Sequence, residues 1–273
     1  MNVASLRRTL LRAGFTGLDL VAPILHEVFG LGPSRYELES LLGFGPAQSR
    51  QAAWGGTALA AKNFNLRRLL RRGGSPILEG LVRWARPPEQ LYLWQQQGQA
   101  VLLVGWHAGP PFALAQALSS AGLSALFCVG PAPNYRLPTG IDYVATDGGA
   151  ACRAEALHRA VQHLRQGKTV YLLADHPYLS SRRVPMLGRE VSLSPSLGVL
   201  ARLAQARVVP VTARWLPRGC IEVEAYPERL APQLDEEDLY AELAEFFGHY
   251  LSTHPGQLEE KFVAKLLFGA PEV

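Results

Sequence analysis

Two apolar segments of the sequence end in side chains that can move protons. One segment ends at His107, and another ends at Asp175 and His176. An imidazole titrates near neutral pH, so His107 suits a general base. Asp175 is a candidate for orienting an imidazole or for binding an amine. The structural alternatives are that His107 caps a helix and that Asp175 caps the turn into Pro177.

The turn after His107 offers groups that can hold a substrate. Gly109 precedes an expected helix start at residues 110–112. Free backbone N–H groups at such a position can receive an oxyanion or a phosphate. Trp106 and Phe112 flank this turn. We therefore expect Gly109, Trp106 and Phe112 to contact a substrate.

A third set of candidates lies in the polar loop at residues 180–196, which is rich in Arg and Ser. Guanidinium groups bind phosphate through two hydrogen bonds at once. We expect Arg182, Arg183 and Arg189 to serve in this way. The alternative for each arginine is simple solvation at the surface.

Other chemistries lack the residues they need. His158 and His163 are five residues apart and do not share a helix face, as metal ligands at i and i+4 would. The three cysteines form no C-x-x-C pair. The sequence has no phosphate-binding G-x-x-x-x-G-K-[ST] loop and no G-x-S-x-G hydrolase elbow. We expect no metal ion and no nucleotide cofactor.

The basic side chains are almost all arginine. The formal net charge is +4, and only four of the 27 basic residues are lysines. An arginine-rich surface suits an anionic partner such as a phospholipid, a phosphopantetheine carrier or a nucleic acid. No helix-turn-helix, RNP or zinc-finger pattern accompanies the arginines, so we do not expect nucleic-acid binding. The alternative is that the arginine content follows genome composition.

Two N-terminal segments have amphipathic spacing. Residues 3–28 place apolar side chains at helical intervals, and we expect Pro23 to kink or end that helix. Residues 63–74 alternate paired leucines with paired arginines. Both segments fit contact with a lipid surface, and both also fit ordinary surface helices. No stretch has the ~20 apolar residues of a membrane span. We expect a soluble cytoplasmic protein, attached at most to a membrane surface.

Continuous apolar strands alternate with helices from residue 98 onward. This pattern predicts an α/β fold with a mixed, mostly parallel sheet covered by helices on both faces. We expect one domain over residues 1–273, in which a helical region at 1–90 packs on an α/β core at 91–273. The predicted strands lie within 98–106, 124–130, 141–146, 168–175, 207–215 and 220–226, the last two forming a hairpin. The predicted helices are 111–121, 151–166, 194–206 with Ser194 as N-cap, 235–253 and 256–268.

Three segments carry a resemblance to a known family. They are "GQAVLLVGWHAGPPFALAQAL", the block from "LRQGKTVYLLADHP" through "RRVPMLGREVSLSPS" to "ARVVPVTAR", and "STHPGQLEEKF". They resemble the bacterial lipid A biosynthesis (lauroyl/myristoyl) acyltransferase branch of the lysophospholipid acyltransferase superfamily. With weaker similarity around "SPILEGLVRW", the resemblance extends over most of residues 75–265. It implies a glycerolipid acyltransferase-like fold.

The resemblance also implies a reaction. In that family an H-x4-[D/E] motif supplies a histidine that deprotonates the acceptor and an acid that orients the imidazole. The acyl donor is a thioester of acyl carrier protein or coenzyme A, and no other cofactor is implied. The acceptor is a lipid or a specialised metabolite. A hydrophobic tunnel for the acyl chain and attachment to the cytoplasmic face of the inner membrane are implied as well.

The present sequence departs from that motif. His107 matches the histidine, but Phe112 stands at the acid position and cannot accept a proton. Three explanations are open. Asp175 or Glu79 replaces the acid, the latter if the N-terminal helices fold over the site. The acceptor is an amine or another nucleophile that needs less help. Or the protein is a catalytically inactive pseudoenzyme that binds acyl chains or acyl carriers.

Overall fold

We describe the chain from a computed structural model, which defines residues 3–73, 75–110, 112–130, 133–175, 182–230 and 234–258. The helices are α1 (Val3–Phe29), α2 (Arg35–Leu42), α3 (Pro46–Gly73), α4 (Glu89–Gln96), α5 (Ala113–Ser120), α6 (Gly149–Arg165), α7 (Ser196–Ala204) and α8 (Glu236–Thr253). The strands are β1 (Val82–Trp84), β2 (Val101–Gly105), β3 (Ala125–Val129), β4 (Ile141–Ala145), β5 (Thr169–Leu173), β6 (Arg182–Met186), β7 (Arg189–Leu193), β8 (Arg207–Leu216) and β9 (Cys220–Ala225).

Seven strands form one mixed sheet in the order β1-β9-β8-β2-β5-β3-β4. Every neighbouring pair is parallel except β8 and β9, which form the predicted antiparallel hairpin. The α/β class and the mostly parallel sheet predicted from the sequence are therefore confirmed. The central strands β2 and β5 are buried along their whole length, as their continuous apolar sequences require.

Each face of the sheet carries its own apolar core, because successive side chains of a strand point to opposite sides. Leu102 and Val104 of β2 belong to the core that also contains buried residues of α6, α7 and α8. Val101 and Leu103 belong to the core that contains buried residues of α1, α3 and α5. The face on which a side chain near the end of β2 lies thus determines which helices surround it.

The predicted N-terminal helical region is confirmed, although it also contains a strand. It is not wholly helical, because β1 pairs with β9 at one edge of the sheet. Of the two predicted effects of Pro23, ending the helix is wrong, because α1 continues through Pro23 to Phe29. Contacts with α3 on both sides of the proline hold the helix together: Lys62 Nζ lies 2.5 Å from Asp19 Oδ1, and Trp54 Nε1 donates to Glu27 Oε1 at 3.0 Å. Tertiary packing offsets the hydrogen bond that the proline removes.

The segment at 180–196, expected to be a loop, contains the β6–β7 hairpin. Its turn places Leu187 at φ 55° and Gly188 at φ 71°. The N-cap prediction for Ser194 was wrong, because α7 begins at Ser196 and the structure shows no side-chain cap there. Ser194 is buried instead, and its backbone N–H donates to Ala174 O at 2.7 Å.

Two further expectations concern the C-terminal helix and membrane-spanning segments. Of the predicted helix at 256–268, the structure describes only the end of a 3₁₀ turn, Pro255–Gln257, and Leu258, which forms an isolated antiparallel bridge with Ala108. The rest of that helix lies outside the described residues. Within the described residues, no helix combines the length and the apolar character needed to cross a membrane.

Candidate active site at the carboxyl edge of the sheet

The register of β2 and β5 brings His107 and Asp175 together. These parallel neighbours pair Gly105 with Leu173 at their carboxyl ends. His107 and Asp175 each lie two residues beyond that pair. Equal offsets from a parallel register place two side chains at the same height and on the same face of the sheet. The face is the one covered by α1, α3 and α5.

A single carboxylate oxygen holds both the ring and the backbone of His107. Asp175 Oδ1 lies 2.9 Å from His107 Nδ1 and accepts the His107 backbone N–H at 3.2 Å. The Asp175 side chain is 4% exposed, whereas the His107 side chain is 23% exposed. The acid is therefore enclosed by protein and the imidazole reaches solvent, which is the arrangement an orienting acid and a working base need.

A buried tyrosine lies beside this pair. Tyr171 is on β5, and a Cβ atom at Gly105 would lie 2.4 Å from its hydroxyl oxygen. Burial and the charge of Asp175 raise the pKa of Tyr171 far above its usual value. The phenol thus stays protonated at physiological pH, and the glycine leaves room for it at the end of β2.

The turn that follows His107 is held by hydrogen bonds at both the N–H and the carbonyl of Gly109. Gly109 has φ +71°, its N–H donates to Gln257 O at 2.8 Å, and its carbonyl accepts from Asn63 Nδ2 at 3.2 Å. A Cβ atom there would lie 1.8 Å from Ala213 O. The expectation that the Gly109 N–H is free for an oxyanion was wrong, because a carbonyl from the C-terminal segment already accepts it.

Phe112, at the position of the expected acid, makes aromatic contacts. It immediately precedes α5 and is half-buried. Its ring meets Tyr135 edge-on at 5.7 Å between centroids, and the guanidinium carbon of Arg67 lies 5.8 Å from its ring centre. Burial raises the pKa of Tyr135 as well. Phe112 and Tyr135 therefore form an aromatic pair before α5, and the Arg67 guanidinium lies over the Phe112 ring.

Trp106 lies on the opposite face of the sheet from His107. It is buried, its ring is 5.1 Å from that of Phe247 on α8, and its Nε1 has no hydrogen-bond partner in the structure as described. The alternation of side chains along the end of β2 explains this placement. The structure thus does not bring Trp106 to the base.

Glu79 is not brought to His107 either. It is exposed and lies in the turn that leads into β1. Two strands, β9 and β8, separate β1 from β2 in the sheet. Ordinary strand spacing places β1 roughly 14 Å from β2. Of the two carboxylates considered from the sequence, Asp175 is the one beside the imidazole.

The arginines of the β6–β7 hairpin contact other parts of the protein. Arg182 lies 3.9 Å from Glu236 and from Glu237 on α8, with its guanidinium 5.5 Å from the Tyr240 ring centre. Arg189 donates to Ser40 Oγ at 2.9 Å and lines a surface cavity of about 630 Å³ between the hairpin turn and the end of α2. Arg183 is exposed. Residue 176, the second histidine candidate, lies outside the described residues.

Two residues that support the site were missed by the sequence reasoning. Asn63 and Gln257 hold the Gly109 turn from opposite ends of the chain. Asn63 appeared only as part of an arginine-rich helix, and a polar residue on a helix gives no sign of which face it occupies. Gln257 did lie in a motif of the family resemblance, "STHPGQLEEKF". Where the chain is described, no three His, Cys, Asp or Glu side chains come together as metal ligands would.

Residues 133–258 match the family model for bacterial lipid A biosynthesis acyltransferases. This match confirms the resemblance indicated by the sequence motifs, and it points to an acyltransferase. The matched segment includes Asp175 and Gln257, whereas His107 and Asn63 lie before it. No curated protein matches the chain.

Proposed function

We propose that the protein transfers an acyl group from a thioester to a nucleophile, with His107 as the general base and Asp175 as the acid that orients it. The observation that carries the proposal is the 2.9 Å contact between His107 Nδ1 and Asp175 Oδ1. Asp175 thus takes the part that the resemblance assigns to the position of Phe112. A neighbouring strand supplies the acid in place of the following helix.

The chemistry follows from the tautomer that the carboxylate favours. With Nδ1–H donating to Asp175, Nε2 carries the lone pair that accepts the proton of an acceptor hydroxyl or amine. The acceptor oxygen or nitrogen then attacks the thioester carbonyl, and the tetrahedral intermediate collapses with loss of the thiolate. The imidazolium returns its proton to that thiolate, so the histidine is regenerated and the products are the acylated acceptor and a free thiol.

The substrates that we propose are those that the family resemblance implies. The donor is an acyl thioester of acyl carrier protein or of coenzyme A, and no further cofactor takes part. The acceptor is a lipid or a specialised metabolite. The aromatic pair formed by Phe112 and Tyr135 supports an apolar acyl chain, since Phe112 lies five residues after the proposed base.

A second candidate is a binding protein that holds acyl chains or acyl carriers without turnover. Two observations favour it. Phe112 has no carboxylate that could orient the imidazole. The Gly109 N–H already donates to Gln257 O, so it cannot stabilise an oxyanion. The His107–Asp175 contact favours the enzyme, since a binding site needs no oriented base.

The test is thiol release from a panel of acyl carrier protein and coenzyme A thioesters, with and without lysophospholipids, lipid A precursors and small amines. We expect release that depends on an acceptor and is lost in His107→Ala. His249→Ala, which changes an exposed histidine on α8, is the matched control and should retain full activity. Bound acyl chains without any release would establish the binding protein instead.

A lipid surface is the proposed location of the reaction. On α1, Leu20, Ile24 and Val28 recur at every fourth position and are 76%, 59% and 67% exposed. Such a stripe of exposed aliphatic side chains is typical of a helix lying in a membrane interface. The exposed arginines 68, 71 and 72 near the end of α3 provide charge that complements anionic lipids. We place the protein on the cytoplasmic face of the inner membrane, as a peripheral protein.

Flotation with vesicles tests that location. We expect binding to vesicles that contain an anionic phospholipid, and loss of most of it in Ile24→Glu. Leu93→Glu, which changes an aliphatic side chain on α4 that is 50% exposed, is the control and should bind as the wild type does. Equal binding by both variants would remove α1 from the proposal.

A further inference from the structure

The amide of Asn63 joins helix α3 to the turn that follows His107. Asn63 is 2% exposed. Its Nδ2 donates to Gly109 O at 3.2 Å, and its Oδ1 accepts from Trp215 Nε1 at 3.0 Å. Trp215 lies on β8, the strand next to β2. One side chain from the N-terminal region therefore bridges a strand of the core and the turn that carries the candidate base.

The chemistry of the two partners fixes the orientation of this amide. An indole N–H can only donate, and a peptide carbonyl can only accept. The Asn63 oxygen must then face Trp215, and its nitrogen must face Gly109. A rotated amide would leave both partners without their bond in a buried position, at a cost that buried polar groups rarely bear.

The surroundings keep the Asn63 amide from moving. The Trp215 ring lies 4.7 Å from Phe15 of α1, and Lys62 Nζ lies 5.4 Å from its centre. Lys62 in turn contacts Asp19 of α1. Side chains held by packing and by hydrogen bonds position the groups they touch within tenths of an ångström, as a reactive site requires.

The Gly109 turn is packed too closely to compensate locally for the loss of its bond to Asn63. Its N–H is held by Gln257, and its Cα faces Ala213 O too closely for any side chain. The Gly109 carbonyl sets the peptide plane two residues beyond His107, and the His107 backbone N–H must in turn reach Asp175 Oδ1 at 3.2 Å. A rotation of the turn would therefore be transmitted along the backbone, would strain the bond between the His107 N–H and Asp175, and would shift the imidazole.

We propose that Asn63 is a positioning residue for His107, which keeps the imidazole on Asp175 by fixing the Gly109 carbonyl. The inference rests on the proposed function, since it names a residue that supports the same base. It goes beyond the family match, because Asn63 lies outside the matched segment. The helical N-terminal region is thus part of the reaction centre as well as its support.

The test compares Asn63→Leu with Trp215→Phe. Asn63→Leu removes the donor to Gly109 O and the acceptor for Trp215 Nε1, and it keeps the branched shape of the side chain. Trp215→Phe removes the indole N–H from the other side of the same amide and leaves the donor to Gly109 in place. Both variants lose the buried bond between Trp215 and Asn63, and Asn63→Leu alone also loses the bond to Gly109, so Trp215→Phe controls for the loss that the two share.

Two readouts separate positioning from stability. The first is the low-field proton resonance of His107 Nδ1–H in protein labelled with 15N-histidine, assigned by its absence in His107→Ala. The second is thiol release. We expect Asn63→Leu to lose the resonance and to lower kcat by about 10- to 100-fold with KM within about twofold, as a small displacement of a reacting group does. Trp215→Phe should keep the resonance and stay within about threefold of the wild-type kcat.

The outcomes are distinguishable. An intact His107 resonance in folded Asn63→Leu overturns the proposal, and so does equal damage by Trp215→Phe. Asn63→Ser lacks the same amide donor, and it replaces Asn63→Leu in the comparison if the latter does not fold. If the wild type releases no thiol, the proposed function fails, yet the resonance still decides whether Asn63 positions the imidazole.

Discussion

The segment that matches the family model and the segment before it contribute different halves of one site. Residues 133–258 supply Asp175 and Gln257. The preceding part supplies His107 and Asn63. The proposed base therefore comes from one part, and the carboxylate that contacts it comes from the other. A family match over one part of a chain does not show that the reaction centre lies within that part.

The contacts across this boundary are short and lie close to the base. They include the 2.9 Å contact of His107 with Asp175 and the 2.8 Å bond from Gly109 to Gln257. Away from the proposed base, the polar contacts within each part serve mainly to hold elements together. Substitutions at the contacts of His107 and of the Gly109 turn should therefore reduce activity far more than substitutions away from them.

The largest effect is expected from Asp175→Asn. The amide keeps the shape of the side chain but no longer stabilises the imidazolium or its tautomer, and the equivalent change in a hydrolase triad costs about 10⁴ in rate. We expect a loss of about 10³- to 10⁴-fold in thiol release. Asp142→Asn, an exposed change on β4, should have no effect. A rate within tenfold of the wild type would separate Asp175 from catalysis.

Gly109→Ala tests the boundary through its backbone. Gly109 and Gly122 both have φ +71°, but a Cβ atom at Gly109 would lie 1.8 Å from Ala213 O, whereas nothing lies within 4 Å at Gly122. Gly122→Ala should cost about 1 kcal/mol, which is the strain of the backbone alone. Gly109→Ala should cost more than about 3 kcal/mol, because the strand must also move. Urea unfolding of the two variants measures the difference, and similar midpoints would contradict it.

Asp19→Asn tests a contact inside the N-terminal part. Lys62 is 4% exposed, and its ammonium lies 2.5 Å from the Asp19 carboxylate. The variant leaves a buried cation without its counter-charge. Since the Asp19 side chain is 38% exposed, water replaces part of the interaction, and we expect a loss of about 1–2 kcal/mol in unfolding free energy. Asp147→Asn, an exposed change before α6, should lose nothing.

His254 tests a contact inside the matched part and should have the smallest effect. Arg214 Nη1 donates to His254 Nε2 at 2.8 Å. Burial and the charge of Arg214 lower the pKa of His254 below its usual 6.5. Below that pH the unfolded chain binds a proton here that the folded chain does not, so stability falls as the pH drops toward the folded pKa.

His254→Gln keeps an acceptor for Arg214 and does not titrate. The variant should lose less stability than the wild type between pH 7 and pH 5.5, by less than about 1 kcal/mol. His163, whose pKa burial also lowers, titrates in both proteins and does not affect the comparison. Parallel pH profiles of the two unfolding free energies would show that His254 does not contribute.

Much of the core could be predicted from the sequence, because continuous apolar strands and the residues at their ends are local signals. The ends of β2 and β5 were recognised by the polar residues that follow them. That β2 and β5 are neighbours could not be predicted, since β3 and β4 come between them in the chain but lie beyond β5 in the sheet. For this reason Asp175 and Glu79 remained alternatives until the strand order was known.

The errors have specific physical causes. The partner of the Gly109 N–H lies at Gln257, far along the chain, so no local pattern reveals that this group is occupied. The β6–β7 hairpin was hidden by its arginines and serines, although Val184, Met186, Val191 and Leu193 alternate as buried residues. The helix through Pro23 depends on contacts with α3 that propensity does not contain. For the Gly109 N–H and for α1, a long-range contact determined the local structure.

The pairing of β1 with β9 has a consequence for how the chain is made. Val82 pairs with Ile221, so the edge strand leaves the ribosome long before its partner does. At about 5–20 residues per second, synthesis separates the two strands by about 7–28 s. Through that interval Val82 and Trp84 have no strand to pair with. Gln257, which holds the turn beside the base, emerges later still. A nascent chain therefore lacks the Gln257 contact beside the proposed base until residue 257 has emerged, and a product terminated before that residue should release no thiol.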